Sequence, residues 1–404
     1  EEIIPSFTTK LVLEEANRCL LCLDAPCSLH CPAGTDPARF IRAARFLNFK
    51  GGAEVIRINN ALGGICGRVC PTEKYCQLGC SRSGIDRPID IGRIQRYLTD
   101  FEEATHMDIL EKTKPIGKKV AIVGSGPSGL EAAAFLLRDG YDVTIYEKEK
   151  ELGGVLRYGI PEYRLPNKVV DNEINKIIKL GLKVKTNFEV GKNISLKELM
   201  NDFDGVILAS GVGKGKILPL FENSKYVETA INFLHRAKEN KGNIPPYDTV
   251  LVIGGGDVAM DVVTTLKILG NKKIIDVVYE SFDEFKASKT ELEGARKQNI
   301  SIIDGYYPTE INDNVVTFKS RFIDSTLNVK ADHIILAVGQ YTDIDKFGDV
   351  VVDKNEVKVK TPYHVKDNLF VTGDLSPKDK TVVYAVRKGK ECAYYLEMYL
   401  KEAK

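Results

Sequence analysis

Histidine is scarce in this chain. Its five copies, His30, His106, His235, His333 and His364, show no spacing that would set two of them on one metal ion. The pattern reads as ordinary surface or core histidines and leaves out the histidine-based metal-hydrolase motifs. Excess charge is missing too: the formal net charge is +1, so no polyanion partner is implied and nucleic-acid binding has no electrostatic footprint. No apolar run approaches membrane-spanning length. The opening EEIIPSFTTK reads neither as a signal peptide nor as a basic transit segment, although a few residues are expected before Glu1. A soluble, cytoplasmic protein is the expectation. No nucleophile–base pair stands out, so the chemistry is expected to belong to bound cofactors.

Cysteine is nearly absent after the first eighty residues, where only Cys392 occurs, and dense before that. Cys19, Cys22, Cys27 and Cys31 read C-x2-C-x4-C-x3-C-P. Cys66, Cys70, Cys76 and Cys80 read C-x3-C-P-x4-C-x3-C. Disulfides are disfavoured, because no secretory segment precedes the cysteines and a 404-residue chain can fold without staples. Structural zinc is the better rival, but its sites pair two short knuckles, whereas here four cysteines crowd into each group beside a Cys-Pro step. Buried inert thiols would not cluster in this way. Thiolates at these spacings suit soft metal centres, and eight of them match two cubane iron–sulfur clusters. The Cys31-Pro32 ending is ferredoxin-like, and in two-cluster ferredoxins that last cysteine serves the other cluster.

With 43% apolar residues the chain can build two or three domains. Residues 1–115 read as helical and loop-rich: PARFIRAARFLNF and GAEVIRINNAL carry helix-period apolar positions, and the cysteine groups fall in Gly/Pro-punctuated loops. DILEKTKPIGKK reads as a polar linker. From Lys118, KKVAIVG begins a strand–helix–strand unit that closes with DVTIYEKE, and a second unit begins at Thr249 with TVLVIGGGDVAMD. DGVILASGVG and DHIILAVGQ read as apolar strands ending in glycine, and the chain closes with a strand leading into a helix. The fold class is α/β: an N-terminal helical iron–sulfur domain, then two nested Rossmann-like domains. The boundaries drawn are 1–115, then 116–215 with 340–404, with 216–339 nested between them.

In the first loop, Gly124-Ser125-Gly126-Pro127-Ser128-Gly129, the first glycine makes the tight turn and the second lets backbone approach a pyrophosphate. The third allows close helix–strand packing. Oriented N–H groups at the helix start face the anion. Glu147 ends the next strand, where a carboxylate accepts from a ribose hydroxyl. A lone G-x-G-x-x-G says little, but strand, helix and acid in register carry the reading. The second loop, Gly254-Gly255-Gly256-Asp257-Val258-Ala259, has alanine in third place, a tolerated variant. Glu280 then occupies the ribose position, where a carboxylate repels a 2′-phosphate, so NADH is expected over NADPH. The bland alternative is a Glu280 that points to solvent.

GSGPSG with Glu147, LGGVLRYGIPEYRLP, GGGDVAMD and TGD-(x6)-TVVYAV together resemble the two-dinucleotide flavoprotein family. With two cysteine groups in front, the whole chain is similar to the glutamate synthase small subunit and the N-terminal half of dihydropyrimidine dehydrogenase. CLLCLDAPCSLHCP, NNALGGICGRVCPTEKYCQLGC, PIDIGRIQRYLTDFE and DKTVVYAV are closely similar to the bacterial NAD-dependent dihydropyrimidine dehydrogenase subunits. The resemblance implies FAD at Val69, Gly124, Ser125, Gly126, Pro127, Ser128, Glu147, Gly154, Arg164, Val190, Asp374, Thr381 and Val382. It implies the nicotinamide cofactor at Gly255, Gly256, Asp257, Glu280 and Gly339. The NADP-dependent animal enzyme carries basic residues at the positions of Glu280 and Ser281, where this chain departs. One [4Fe-4S] cluster is implied at Cys19, Cys22, Cys27 and Cys80, and the other at Cys31, Cys70, Cys76 and Gln95. Cys66 becomes a bystander, whereas spacing alone would enlist all eight thiols.

The implied route is hydride transfer from NADH to FAD, then single electrons through the two clusters and off the chain. Asp374 is expected on the ribityl chain, with the helix starting near Thr381 aimed at the flavin ring; an ordinary docking helix is compatible with this. No FMN barrel is present, so the resemblance implies a separate FMN- and iron–sulfur-containing catalytic subunit (PreA-like) that reduces uracil or thymine. The other enzyme reading is a glutamate synthase small subunit or NAD-linked ferredoxin reductase. A zinc-bearing nucleotide-sensing scaffold is a reading from another class. A thioredoxin-reductase-like activity is disfavoured, because no C-x2-C lies in the NAD domain.

Overall fold

The computed structural model describes residues 2–348, 350–353, 356–377 and 379–402. It resolves into two compact units, one of Glu1–Arg157, Glu162–Gly211 and Ile344–Lys404, the other of Tyr158–Pro161 and Val212–Asp343.

The first unit opens with six helices: α1 (Thr9–Asn17), α2 (Pro26–Leu29), α3 (Pro37–Arg45), α4 (Phe49–Asn59), α5 (Gly63–Val69) and α6 (Ile91–Ala104). Side-chain caps start four of them, α1, α3, α4 and α6. Asp36 accepts from Arg39 N at 3.1 Å with Pro37 in the first helical position, and Asp90 accepts from Arg93 N at 3.4 Å. Each such cap stabilises its helix by about 1 kcal/mol. The run PARFIRAARFLNF does not continue as one helix. It ends at Arg45, Leu47 turns back with φ 59°, and Asn48 caps α4. Phe40, Ile41 and Ala44 of α3 then meet Ile91, Ile94 and Leu98 of α6 around Phe49 and Ile56. Cys76 lies in this core, and Cys19, Cys27 and Cys80 pack against it. The cysteines are therefore set into apolar helix packing. Cys27 and Cys66 sit on helices, not in the loops expected for them.

Residues 108–116 run without regular structure into β1 (Lys119–Val123), followed by α7 (Pro127–Arg138) and β2 (Asp142–Tyr146). β3 (Lys183–Lys185) and β4 (Gly205–Leu208) extend the sheet, whose order is His364–Lys366, Leu369–Val371, β4, β1, β2, β3. All neighbours are parallel except the first pair. β1 is apolar on both faces because helices cover both sides of such a sheet. Strand order reverses on either side of β1, which makes the end of β1 a topological switch point where ligands bind in this class of sheet.

The second unit holds a five-stranded parallel sheet in the order Val227–Thr229, His333–Leu336, Thr249–Ile253, Lys273–Val277, Ser301–Ile303. The strand Thr249–Ile253 is its switch point. A three-stranded antiparallel sheet, Tyr306–Asn312, Val315–Ser320 and Thr326–Lys330, is an addition that the sequence reading had not anticipated. Val316 and Phe318 of that sheet enter one core with Leu251, Ile253 and Val277.

Within the first unit the cysteine-bearing helices are tied to the nucleotide fold by buried charge. Arg57 on α4 has no exposed surface. Its guanidinium donates to Glu102 of α6 at 2.6 and 2.8 Å and to Glu173 of the helix Asn167–Lys179 at 2.5 and 2.9 Å. Glu173 also accepts from Gly64 N at the start of α5 at 2.9 Å. Burial pushes the Glu173 carboxyl up, but Arg57 overrides it and holds the group below its ordinary value. On α7, Glu131 accepts from Ala61 N at 3.0 Å, and Lys390 donates to Ala33 O at 2.6 Å and Asn59 O at 2.9 Å. Breaking a buried ion pair from one side strands the partner charge. Arg57→Ala is therefore expected to lower the free energy of unfolding by about 3–5 kcal/mol, read by urea denaturation. A loss below about 1 kcal/mol would place the triplet among charges that contribute little.

Candidate functional site

The eight N-terminal cysteines gather around two cavities, and the grouping crosses their order in the chain. Cys19, Cys22, Cys27 and Cys80 line one, with Leu20 and Ile41 among the apolar walls. Cys31, Cys66, Cys70 and Cys76 line the other, together with Gln95, Thr35 and Tyr75. The last cysteine of each sequence group thus stands with the other group's cavity, as in two-cluster ferredoxins. Ile91 belongs to both walls. Among the described residues no three His, Cys, Asp or Glu side chains converge as around a single ion. The thiols ring a space instead of a point.

Burial pushes the Cys27 thiol up to about 11 and the Cys66 thiol up to about 12, and raises Cys70 and Cys76 well above the ordinary thiol range. In apolar walls a thiolate is disfavoured until a metal's charge compensates it. Such thiols are poor nucleophiles and suitable soft ligands. Gln95, on α6, donates its amide nitrogen to Gly63 O at 2.8 Å, which leaves the amide oxygen as its remaining donor of electron pairs. Cys66 on α5 is hydrogen-bonded to Asn60. Thr35 supplies a further test of fit: its hydroxyl is buried in the wall of the second cavity and has no protein partner. An unsatisfied buried polar group costs about 1–3 kcal/mol. A bound cluster would provide the missing acceptor in its sulfides.

The C-terminal helix Val382–Glu402 brings the second cavity to the nucleotide fold. Val383 lines that cavity. Tyr75, next to Cys76, donates to Asp379 at 3.0 Å and shares a 3.3 Å hydrogen bond with Thr381. Thr381 caps the helix: its carbonyl accepts from Ala385 N at 2.9 Å and its hydroxyl from Tyr384 N at 3.5 Å. Tyr75 and Val383 carry no motif of their own, and only the packing shows their place.

The first phosphate loop has the geometry its glycines require. Gly124 adopts φ 103°, and a Cβ on Gly129 would stand 2.2 Å from Gly124 O. A Cβ on Gly126 would meet nothing, so the backbone there faces open space. Glu147 is buried at the tip of β2. It accepts from Ser125 N at 2.9 Å and from Ser125 Oγ at 2.5 Å, so it braces the loop as well as standing at the ribose position. Pro127 and Ser128 open α7, and Gly154 lies against Gly126, where a Cβ would come within 2.9 Å of the Gly126 Cα. Val69 ends α5 and Val190 is buried beyond β3. Arg164 is half-buried in the turn before Asn167–Lys179. Burial raises Asp374 against the pull of Lys388 and Lys380. Lys388 is itself buried, and its ammonium donates to Gly373 O, Ser376 O and Asp379 O at 3.1–3.3 Å, which sets the loop carrying Asp374. The neighbouring Thr372 hydroxyl is buried without a protein partner. Lys388 was not legible in the sequence, because only its contacts reveal it.

In the second unit Gly254 adopts φ 149°, and a Cβ on Gly255 would stand 2.3 Å from Val278. Asp257 opens its helix and accepts from Ser288 N at 2.6 Å. Gly339 has φ 106° after the strand His333–Leu336. Glu280 lies against the loop, its Oε2 3.5 Å from where a Gly255 Cβ would be, and it pairs with Lys286 at 2.7 Å. Burial pushes its carboxyl up, but the Lys286 hydrogen bond prevails and holds it below its ordinary value. Glu280 therefore does not point away to solvent.

Residues 1–107 match the family model described as dihydropyrimidine dehydrogenase domain II, 4Fe-4S cluster, and residues 118–389 match pyridine nucleotide-disulphide oxidoreductase. The chain is 51% identical to the NAD-dependent dihydropyrimidine dehydrogenase subunit PreT of Escherichia coli, covering 100% of this chain and 98% of that one. The chain belongs to the PreT family of NAD-dependent dihydropyrimidine dehydrogenase subunits. It is more distantly similar to the glutamate synthase [NADPH] small chain of Escherichia coli, at 27% identity over 97% of this chain and 92% of that one. In fold it resembles FprA of Mycobacterium tuberculosis in complex with NADPH, with a TM-score of 0.61 and 16% identity over 72% of this chain and 86% of that one.

As a PreT-family chain it is an NAD-dependent oxidoreductase that takes in electrons through a flavin- and pyridine-nucleotide-binding region behind a 4Fe-4S domain. The residues fit these groups: soft donors around both cavities, an open backbone cradle at Gly126, and unpartnered hydroxyls at Thr35 and Thr372. Among the described residues no helix is long and apolar enough to cross a membrane. Gly389 of the C-terminal helix touches the loop directly, since a Cβ there would stand 2.2 Å from Ser128 O. Gly389→Ala is expected to displace Ser128 and lower bound flavin per chain several-fold, with iron content retained. Flavin absorbance against iron analysis reads this, and unchanged flavin would show that the contact can relax.

Proposed function

We propose that this chain passes electrons from NADH through FAD, the second cavity and then the first cavity to a separate FMN- and iron–sulfur-containing catalytic subunit. That PreA-like partner would reduce uracil or thymine. The observation that carries the order is the continuity of the walls. Thr381 and Val382, proposed flavin contacts, adjoin Val383 in the wall of the second cavity, and Ile91 is common to both cavities. FAD, when bound there, would take one hydride, two electrons, from NADH and give the electrons up singly. The chain's own part is to position and insulate. Its apolar walls bury Cys66 and Cys76, and Lys388 holds the loop of Asp374.

We assign Cys19, Cys22, Cys27 and Cys80 to one cluster and Cys31, Cys70, Cys76 and Gln95 to the other. The amide oxygen of Gln95 supports this assignment, because its nitrogen is already committed to Gly63 O. An amide in place of a thiolate makes the second cluster less negative and shifts its potential. Cys66→Ala is expected to keep full iron content and both EPR signals, whereas Gln95→Ala alters the signal and midpoint of one cluster. Loss of about half the iron in Cys66→Ala would reverse the assignment.

For the flavin we propose contacts at Val69, Gly124–Ser128, Glu147, Gly154, Arg164, Val190, Asp374, Thr381 and Val382. For NADH we propose Gly255, Gly256, Asp257, Glu280 and Gly339. Exposed apolar side chains near the first cavity support an exit there: Leu20 is part of its wall, and Leu23, which follows Cys22, is 92% exposed. The isolated chain is expected to reduce ferricyanide with NADH and leave uracil untouched. Addition of the partner is expected to restore uracil reduction, and Leu23→Asp to weaken that restoration while ferricyanide reduction persists. Uracil turnover by the chain alone would refute the division of labour. Glutamate formation with a glutaminase-bearing partner would place the chain with the glutamate synthases.

A further inference from the structure

Glu280 does not stand alone at the proposed ribose position, because two cations act on it. Lys286 Nζ sits 2.7 Å from Glu280 Oε1. The Arg321 guanidinium also acts on the Glu280 carboxylate. Arg321 is held in place: it donates to Tyr279 O at 2.9 Å and to Glu284 at 3.0 Å, and it lies 4.3 Å over the Tyr279 ring. Glu284 is in turn fixed in a reciprocal cap with Ser281. Lys286 and Arg321 are thus each matched by a carboxylate, Glu280 and Glu284. The Lys286 side chain is 76% exposed and Glu280 only 20%, so the lysine is free to swing and the carboxylate fills the space beside the loop.

We propose that Lys286 and Arg321 form a latent subsite for a 2′-phosphomonoester on the adenosine ribose, closed in the native chain by Glu280. This rests on the reading of Glu280 as the ribose acceptor of NADH. A dianionic phosphate needs cations that are close and not already neutralised. The native corner has the cations but gives them to carboxylates. Neutralising Glu280 leaves Lys286 without its partner and Arg321 opposed by Glu284 alone, so the corner gains one positive charge. Preference for NADH is then the work of one side chain that both accepts from the ribose and occupies Lys286. Conversion to NADPH then needs no added cation at position 280, where the NADP-dependent animal enzyme carries a basic residue.

The test is equilibrium binding of NADH, NADPH and 2′,5′-ADP by calorimetry to the flavin- and cluster-loaded chain, as wild type, Glu280→Gln and Glu280→Gln/Lys286→Ala. Glu280→Gln is expected to tighten NADPH and 2′,5′-ADP by about tenfold and to weaken NADH several-fold. The second substitution is expected to abolish the gain for both phosphorylated ligands, and that gain should shrink as salt is raised. If Glu280→Gln weakens NADH without tightening NADPH, Glu280 reads the ribose and the latent subsite is refuted. If it changes neither cofactor, the ribose reading itself falls. A gain that survives Lys286→Ala overturns the subsite as well, because simple relief of repulsion would then account for it.

Discussion

The arrangement depends on a buried cation that belongs to neither half of the electron path. Arg57 draws Glu102 from the cysteine-bearing helices and Glu173 from the nucleotide fold onto one guanidinium, all three buried from solvent. Such a triplet is seldom the strongest way to fill a core, since an apolar replacement of all partners often does as well. Its bidentate geometry fixes direction, which is what this chain needs. Glu173 also holds Gly64 at the start of α5, the helix that carries Cys66 and ends at Val69 beside Cys70. The wall of the second cavity is thereby set relative to the fold that holds the flavin loop. Electron transfer falls away steeply with distance, so a fixed spacing between carriers matters more here than any single side-chain contact.

Low dielectric serves two purposes in the same unit. Around the cavities it raises the buried thiols, which remain protonated and unreactive until a cluster compensates their charge. Around Asp374 it raises a carboxyl against the pull of Lys388 and Lys380, and Lys388 in turn gathers three carbonyls of one loop. Polar groups with no protein partner, the hydroxyls of Thr35 and Thr372, occur where cofactor atoms are expected to complete them. In the second unit, Glu280 and Lys286 neutralise one another near the surface.

Much of this was legible in the residues. The phosphate loops could be read because each glycine has a separate steric task, and φ 103° at Gly124 with the close approach at Gly129 matches those tasks. The cysteine spacing pointed to soft metal centres, but spacing alone cannot say which thiols share a cavity. The exchange of Cys31 and Cys80 between groups and the place of Gln95 came from resemblance, since a glutamine inside an amphipathic helix carries no local signal. Tyr75, Val383 and Gly389 act through contacts between distant parts of the chain, which no window of sequence contains, and Lys388 reaches back to carbonyls of a loop that carries no signal for it. The sheet Tyr306–Lys330 was missed although Asp313-Asn314 between alternating segments is a usable turn signal, with Asp313 at φ 52°. The sequence reading set Glu280 at the ribose position without a partner, because the Lys286 that pairs with it comes from a loop that the strand pattern does not register.

The central claim is the order of carriers, with the second cavity next to the flavin and the first at the exit. The most direct test removes the exit cluster with Cys80→Ala, then follows the remaining cluster by freeze-quench EPR after mixing with NADH, with partner-dependent uracil reduction measured alongside. The account predicts that the remaining cluster is reduced at the native rate while uracil reduction is lost. Slowed reduction of the remaining cluster with uracil reduction preserved would contradict it.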